Sequence, residues 1–268
     1  MKNDKVTVPV ILEKKKNNEK ITMLTAYDYS IALLLDRSGV DMLLVGDSVG
    51  PIFSGYENTL PVTVEEILYH TKAVARARKR ALVVSDMPFL SYQTSVEDAV
   101  KNCGLMLKAG AEAVKLEGGK EIAKTVEALT SSGIPVVGHI GLTPQFVNIL
   151  GGYKVQGKGE EAKKKLIESA KALEKAGVFS IVLECVPEET AKEVTEAVSV
   201  PTIGIGAGRY CDGQVLVIND IIGLFEGHRP KFVKKYLDLS SLIERAAMDY
   251  VNEVKTGKFP AENHIYRG

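Results

Sequence analysis

The chain has 268 residues, 45% hydrophobic and 25% charged, with Gly 24 and Pro 10 dispersed along it, which excludes collagenous, low-complexity and wholly disordered classes and leaves room for a sizeable core. At roughly 150 residues per domain the length admits two domains, or one α/β barrel of the kind that reaches this size as a single domain. Lys+Arg 34 against Asp+Glu 34 gives a formal net charge of zero, without the basic excess that marks nucleic-acid or anionic-membrane binders, so neither is an expected partner and small-molecule chemistry is.

In chain order, Val6 to Lys16 reads as an extra N-terminal helix that plugs a barrel floor; Thr7, Pro9 and the Glu13-Lys14-Lys15-Lys16 run are unlike a secretory leader. No apolar run approaches the ~18 residues needed to span a bilayer, so the expected location is the cytoplasm. Strands are then expected at Ile21 to Thr25, Met42 to Val45, Ala81 to Val84, Ala113 to Leu116, Pro135 to Val137, Ser180 to Leu183 and Thr202 to Ile205. Between them the 3.6 period predicts helices over Tyr29 to Ser38, Thr63 to Arg80, Ser95 to Ala109, Glu121 to Ser132, Glu160 to Ala176 and Glu188 to Ala197, several ended by glycine. An eighth strand, Val215 to Ile218, follows a Gly-rich connection too short for a helix, and Ser240 to Val254 forms a periodic C-terminal helix suited to packing within or between subunits. This βα alternation, with no linker tract, predicts one (β/α)₈ TIM barrel over residues 1–268 with an added N-terminal and C-terminal helix; a doubly wound open sheet is the structural alternative.

Several strands run into an ionisable group: Asp47, Asp86, Glu117, His139 and Glu184. In a barrel those ends converge on the face that carries active sites. Each alone is readable as a helix N-cap or a core histidine; five together are harder to dismiss. Asp47 and Asp86 with Glu117 nearby offer hard oxygen ligands suited to Mg²⁺ rather than zinc, and a chelating 2-oxo acid suits the remaining coordination positions. Lys115 lies inside an apolar strand and shares a face with Glu117, so it requires an anion, either a substrate carboxylate or a structural acid. Glu184, set among Ile181-Val182-Leu183 and Cys185-Val186-Pro187, is the candidate general base, since apolar neighbours favour the proton-accepting range. Two long connections, Gly50 to Val62 and Ile140 to Gly159, read as binding loops or lids.

Other signals are weaker. Gly46-Asp47-Ser48-Val49-Gly50 matches G-x-S-x-G, but Pro51, Gly55 and Pro61 follow where a hydrolase elbow enters a helix. Ile203 to Gly208 is glycine-rich without G-x-G-x-x-G spacing, and a tight turn explains it. Cys103, Cys185 and Cys211 lie far apart with no CxxC pair, against disulfides or a thiolate metal site.

The blocks Thr25-Ala26-Tyr27-Asp28, Leu44-Val45-Gly46-Asp47-Ser48, Thr59-Leu60-Pro61-Val62-Thr63, Asp86-Met87-Pro88-Phe89, Val114-Lys115-Leu116-Glu117-Gly118-Gly119 and Gly138-His139-Ile140-Gly141-Leu142-Thr143-Pro144-Gln145 resemble the ketopantoate hydroxymethyltransferase family. So do Gly151 to Lys158, Leu183 to Pro187, Ile203 to Gly208, Asp212 to Val217 and Pro230 to Lys234, and together the blocks span about four fifths of the chain. The resemblance implies a (β/α)₈ barrel, Mg²⁺, a homo-oligomer (often a decamer), and hydroxymethyl transfer from 5,10-methylenetetrahydrofolate to 3-methyl-2-oxobutanoate, giving 2-dehydropantoate for pantothenate and coenzyme A biosynthesis. It further implies Asp47 and Asp86 as metal carboxylates that thereby meet substrate, Glu117 as a direct or water-mediated metal partner, Ser48 and Lys115 on the substrate carboxylate, His139 lining the site and Glu184 as base. Pro51, where the family often has Met, and a looser tail at Phe259 to His264 are the departures. A Mg²⁺-dependent barrel of the isocitrate lyase and phosphoenolpyruvate mutase kind is the rival enzyme reading and predicts a reactive cysteine near the site; a silent scaffold barrel predicts a missing carboxylate.

Overall fold

A computed structural model describes residues 5–224 and 230–268, which fall into two compact units, Met1–Val217 and Ile218–Gly268. In the first, strands β1 (Ile21–Thr25), β2 (Met42–Val45), β3 (Leu82–Asp86), β4 (Ala113–Glu117), β5 (Val136–Gly141), β6 (Ser180–Glu184), β7 (Thr202–Ile205) and β8 (Gly213–Leu216) close into an all-parallel eight-stranded barrel. Helices α1 (Val8–Lys16), α2 (Tyr29–Arg37), α3 (Val64–Ala77), α4 (Val96–Lys108), α5 (Ala123–Ser131), a short α6 (Val147–Leu150), α7 (Glu160–Lys175) and α8 (Glu188–Ala197) accompany them. The second unit holds the short α9 (Ile218–Ile222) and the long α10 (Leu239–Lys255). Among the described residues no helix is long and apolar enough to cross a membrane.

Local chemistry explains where the helices start. Asp28 accepts the amide of Ile31 at the head of α2, Thr63 and Glu66 form a reciprocal capping box on α3, and Ser95 accepts the amide of Asp98 on α4; caps of this kind are each worth about 1 kcal/mol. The N-cap positions of α5, α7 and α8 belong to Ile122, Gly159 and Pro187. The ionisable groups at the strand ends are therefore not spent on capping.

The barrel interior follows from a period of two. Ile21, Met23, Met42, Leu44, Leu82, Val84, Ala113, Val137, Val182, Ile203 and Val215 form one buried cluster, and Val6 and Ile11 join it from the N-terminal segment and α1. The same inward parity, carried further along each strand, reaches Asp86, Lys115, Glu117, His139 and Glu184. An apolar floor and a charged mouth are thus one set of positions read at two heights.

β3, β4 and β6 run on to Asp86, Glu117 and Glu184, past the Val84, Leu116 and Leu183 ends read from the sequence, and two strands differ more. β5 is expected to end at Val137 but continues to Gly141, so His139 lies inside the strand, paired with Glu117 on one side and Val182 on the other. The eighth strand begins two residues earlier than its aliphatic run suggests, and Ile218 already opens α9. The reason is close packing: a Cβ on Gly213 would sit 2.5 Å from the Ile21 carbonyl oxygen and 2.7 Å from Ile203 Cδ1. Only glycine fits that seam. The two long connections also carry structure, a π-helical turn over Gly50–Ser54 in the first and a 3₁₀ turn over Pro144–Phe146 leading into α6 in the second.

Candidate active site

All seven residues singled out from the sequence, Asp47, Ser48, Asp86, Lys115, Glu117, His139 and Glu184, line one cavity of about 120 Å³ in the charged mouth. Asp47, Asp86, Lys115, Glu117 and His139 are buried there, whereas Glu184 keeps 17% of its side chain exposed.

The register sets the contacts. β3 pairs with β4 so that Asp86 faces Lys115, and β4 with β5 so that Glu117 faces His139. Lys115 Nζ lies 2.9 Å from Asp86 Oδ1 and 4.0 Å from Glu117 Oε1, and these acids hold its pKa above the ordinary lysine range against the opposing effect of burial. Gly46, just past β2, allows the next step. A Cβ there would meet Ser48 Oγ at 2.6 Å and Asp86 Oδ2 at 3.4 Å; without it, the Asp47 N–H donates to Asp86 Oδ2 at 2.9 Å. Two buried carboxylates are thereby brought side by side.

His139 links that pair to the candidate base. Its Nε2 lies 3.2 Å from Glu184 Oε2, while Nδ1 lies 3.1 Å from Lys115 Nζ and 3.5 Å from Glu117 Oε1. Burial and the Lys115 charge favour the neutral ring, but the nearby Glu117 and Glu184 carboxylates outweigh them and lift its pKa to about 9. A contact from Lys115 to Nδ1 is a hydrogen bond only while that nitrogen is unprotonated; with the ring cationic, Lys115 rests on Asp86 instead. Glu184 thus sits beside a polar ring, not in the purely apolar setting that its sequence neighbours suggest.

Four carboxylates face two basic side chains, and the shortage of positive charge shows at two of them, Asp47 and Asp86. Burial, then Asp86 and Glu117, push Asp47 well above the usual carboxylate range, and burial raises Asp86 although Lys115 opposes it. Glu117 goes the other way: burial would raise it, but His139, Lys115 and the Gln145 amide together lower it. Asp86 Oδ1 and His139 Nε2 are buried with ionic neighbours but no aligned hydrogen bond. Among the described residues no three His, Cys, Asp or Glu side chains converge as a metal cluster. The adjacent pair Asp47 and Asp86 is the hard-oxygen donor set present, and Glu117 is tied mainly to Gln145, Lys115 and His139.

Sequence reading missed the residues that hold these acids in place. Gln145, on the 3₁₀ turn after β5, is buried; its Nε2 donates to Asp47 Oδ2 at 2.9 Å and to the Met87 carbonyl at 2.8 Å, and its backbone N–H donates to Glu117 Oε2 at 2.9 Å. Tyr92, fully buried, places its hydroxyl 2.8 Å from the Glu117 carbonyl and 3.0 Å from Gln145 Oε1, and accepts the Glu117 N–H at 3.1 Å. Tyr27 sits 2.8 Å from Ser48 Oγ through its hydroxyl and so orients that serine. Gln145 falls inside one of the blocks that carry the family resemblance, the one signal available for it in the sequence.

Comparison with solved structures finds the same architecture at low identity. Phosphonopyruvate hydrolase, in a complex with oxalate and Mg²⁺, aligns with TM-score 0.62 and 10% identity over 96% of this chain and 92% of that one. A 2,3-dimethylmalate lyase of the PEP mutase/isocitrate lyase superfamily aligns with TM-score 0.60 and 12% identity over 97% of this chain and 91% of that one. At such identities the likeness concerns fold alone. Sequence comparison goes much further. Relatives named 3-methyl-2-oxobutanoate hydroxymethyltransferase are 58% identical in Syntrophus aciditrophicus, over 99% of this chain and 98% of the relative, and 59% identical in Syntrophomonas wolfei, over 98% and 95%. The family model described as ketopantoate hydroxymethyltransferase matches residues 5–262. With a match that runs through the barrel and on past α10, and with relatives this similar over nearly their whole length, the chain belongs to the ketopantoate hydroxymethyltransferase family.

Proposed function

We propose that this chain transfers a hydroxymethyl group from 5,10-methylenetetrahydrofolate to 3-methyl-2-oxobutanoate, with water as the third reactant and 2-dehydropantoate and tetrahydrofolate as products. The observation that carries the reading is the mouth of the barrel, where a buried lysine, a histidine and four carboxylates line a cavity sized for a small 2-oxo acid. The relatives' names supply the substrate.

The donor set fits Mg²⁺. Asp47 and Asp86 are adjacent oxygen ligands in a site short of positive charge, and Asp86 Oδ1 is buried without an aligned hydrogen bond; hard carboxylates of this kind suit Mg²⁺. Asp47 and Asp86 would hold the ion and touch substrate through it, with Glu117 in support. When bound, Mg²⁺ supplies Lewis acidity at the keto carbonyl.

The protein's own groups account for the rest. The Glu184 carboxylate removes the proton from C3 of the oxo acid, with His139 Nε2 3.2 Å from its Oε2. Lys115 places a positive charge beside the anion that results. Ser48, oriented by Tyr27, offers its hydroxyl to the substrate carboxylate. Carbon C3 then bonds to the folate methylene, the methylene's two bonds to the folate nitrogens break, water provides the hydroxyl, and the nitrogens take up the remaining water proton and the proton removed from C3. The cytoplasm is the place for such chemistry, and a homo-oligomer, a decamer in the family's usual form, is the proposed assembly. The uncovered apolar residues Leu242, Ile243, Met248 and Val251 of α10, a helix with no buried residue, support an assembly of copies.

Lyase or mutase chemistry of the superfamily is less well supported. Cys185 adjoins Glu184, but burial and then the Glu184 charge push its thiol up to about 11, so it offers little thiolate at neutral pH. The test is Mg²⁺-dependent exchange of the C3 proton of 3-methyl-2-oxobutanoate in D₂O. Glu184→Gln is expected to slow exchange by about 10²–10⁴-fold; exchange at the wild-type rate would remove Glu184 as the base.

A further inference from the structure

Each of the three buried acids of the mouth has one oxygen held by a neutral N–H. Asp86 Oδ2 accepts the Asp47 amide, Asp47 Oδ2 accepts Gln145 Nε2, and Glu117 Oε2 accepts the Gln145 amide. Two of the three restraints come from one residue that carries no charge and lies outside the set of titrating groups. We propose that Gln145 is the positioning residue of the metal site: it fixes Asp47 and Glu117 through one oxygen each, so that Asp47 Oδ1 is presented to the divalent cation and Glu117 Oε1 to Lys115 and His139. The proposal rests on the reading of the mouth as a Mg²⁺ site.

The surroundings of Gln145 dictate which way round its amide sits. The Met87 carbonyl, 2.8 Å from Nε2, accepts and cannot donate, while Gln93 Nε2, 3.2 Å from Oε1, donates and cannot accept. The Tyr92 hydroxyl accepts the Glu117 N–H and so turns its own proton toward the Glu117 carbonyl or Gln145 Oε1. An amide reversed at this position would set an oxygen against both the Met87 carbonyl and the Asp47 carboxylate. The network therefore permits one orientation, the one in which Asp47 receives a donor. A fixed neutral donor suits this role better than a lysine or arginine, because it orients a metal carboxylate without competing with the cation for its charge.

Asp47 and Asp86 lie side by side through the Asp47 N–H, and Gln145 Nε2, 2.9 Å from Asp47 Oδ2, is the side-chain donor that fixes the Asp47 carboxylate there. Gln145→Ala removes the side-chain bond but keeps the backbone N–H on Glu117. Gln145→Glu replaces the NH₂ group with an oxygen of nearly the same size and reverses the interaction. Tyr92→Phe leaves Gln145 in place and loosens its orientation.

Mn²⁺ reports on the site without turnover. Binding is measured on the full chain by electron paramagnetic resonance and by calorimetry, with folding of each variant checked by its cooperative urea transition. Gln145→Ala is expected to weaken Mn²⁺ binding about 10- to 100-fold, Gln145→Glu to weaken it at least as much, and Tyr92→Phe to weaken it less than either. At saturating metal the KM for the oxo acid is expected to stay near that of wild type. Wild-type affinity for Mn²⁺ in both folded Gln145 variants would overturn the positioning role while leaving the metal reading intact. If Gln145→Ala fails to fold, the ordering of Gln145→Glu against Tyr92→Phe decides, and equal wild-type affinity in those two overturns the role. Absence of Mn²⁺ binding by the wild-type chain would take down the metal reading and this proposal together.

Discussion

The two ends of the barrel handle their aspartates in opposite ways. At the floor, Asp36 accepts the backbone N–H groups of Lys79, Arg80 and Ala81, and Asp212 accepts the Thr202 N–H and pairs with Lys15. Asp41 accepts both the N–H and the hydroxyl of Thr22, and faces Arg80 at 3.0 Å and Lys14 at 3.4 Å. Burial would raise Asp41, yet these donors hold it below the usual carboxylate range. At the mouth, Asp47 and Asp86 are pushed up. Residue type and barrel are shared; the supply of fixed donors and cations is not. The floor acids find all their partners within the polypeptide. Asp47 and Asp86 at the mouth are left short of fixed donors and cations, a deficit that the proposed divalent cation would reduce. The difference is that between acids satisfied within the fold and acids that the proposed Mg²⁺ would satisfy.

The largest expected effect breaks the mouth at its internal ion pair. Asp86→Ala leaves the Lys115 ammonium buried with its 2.9 Å partner gone, and removal of one member of such a pair is worth about 3–5 kcal/mol of stability. Urea unfolding checks this, and a loss below ~1 kcal/mol would mean that Glu117 and Asp47 already satisfy Lys115. Next comes the floor. Asp41→Asn keeps the shape but weakens the bonds from Thr22 and the ion pairs with Arg80 and Lys14, with an expected loss of about 1–3 kcal/mol at neutral pH.

That variant also carries a pH signature. Because the folded-state pKa of Asp41 is depressed, its contribution to stability is present above the unfolded-state value of about 4 and is lost as pH falls through the lower folded-state value. The urea midpoint of wild type should therefore converge on that of Asp41→Asn at the acid end of the titration. Parallel curves down to the lowest pH at which both chains still fold would contradict the assignment.

How much of this was legible in the sequence depends on how local its cause is. Strand ends announce themselves when an apolar run meets an ionisable group, and period-two parity alone put Lys115 and Glu117 on one face, as β4 has them. Caps such as Thr63 with Glu66 are written in four consecutive residues. The eighth strand was misplaced by two residues because Gly213 and Gln214 look like a turn until Ile21 and Ile203 are packed against them. His139 appeared to follow a strand that in fact continues through it. Gln145 and Tyr92 were invisible as site residues for a deeper reason: their meaning lies in contacts 53 residues apart with each other and 98 and 25 residues away with Asp47 and Glu117. Beyond its place in a block shared with the family, nothing in a neutral amide on a loop signals that it will bond across the mouth.

The smallest expected effect is the most telling, because its sign differs between the two ends. In Asp47→Asn a carboxylate raised by burial and by its acidic neighbours becomes a neutral amide whose oxygen still accepts from Gln145. Urea unfolding of metal-free Asp47→Asn and Asp41→Asn at neutral pH, alongside wild type, tests the contrast directly. The account predicts that Asp47→Asn is as stable as wild type or slightly more so and gains less than wild type when Mg²⁺ is added, while Asp41→Asn is less stable and keeps the full Mg²⁺ gain. Loss of stability in metal-free Asp47→Asn equal to that in Asp41→Asn, with the Mg²⁺ gain unchanged, would contradict it.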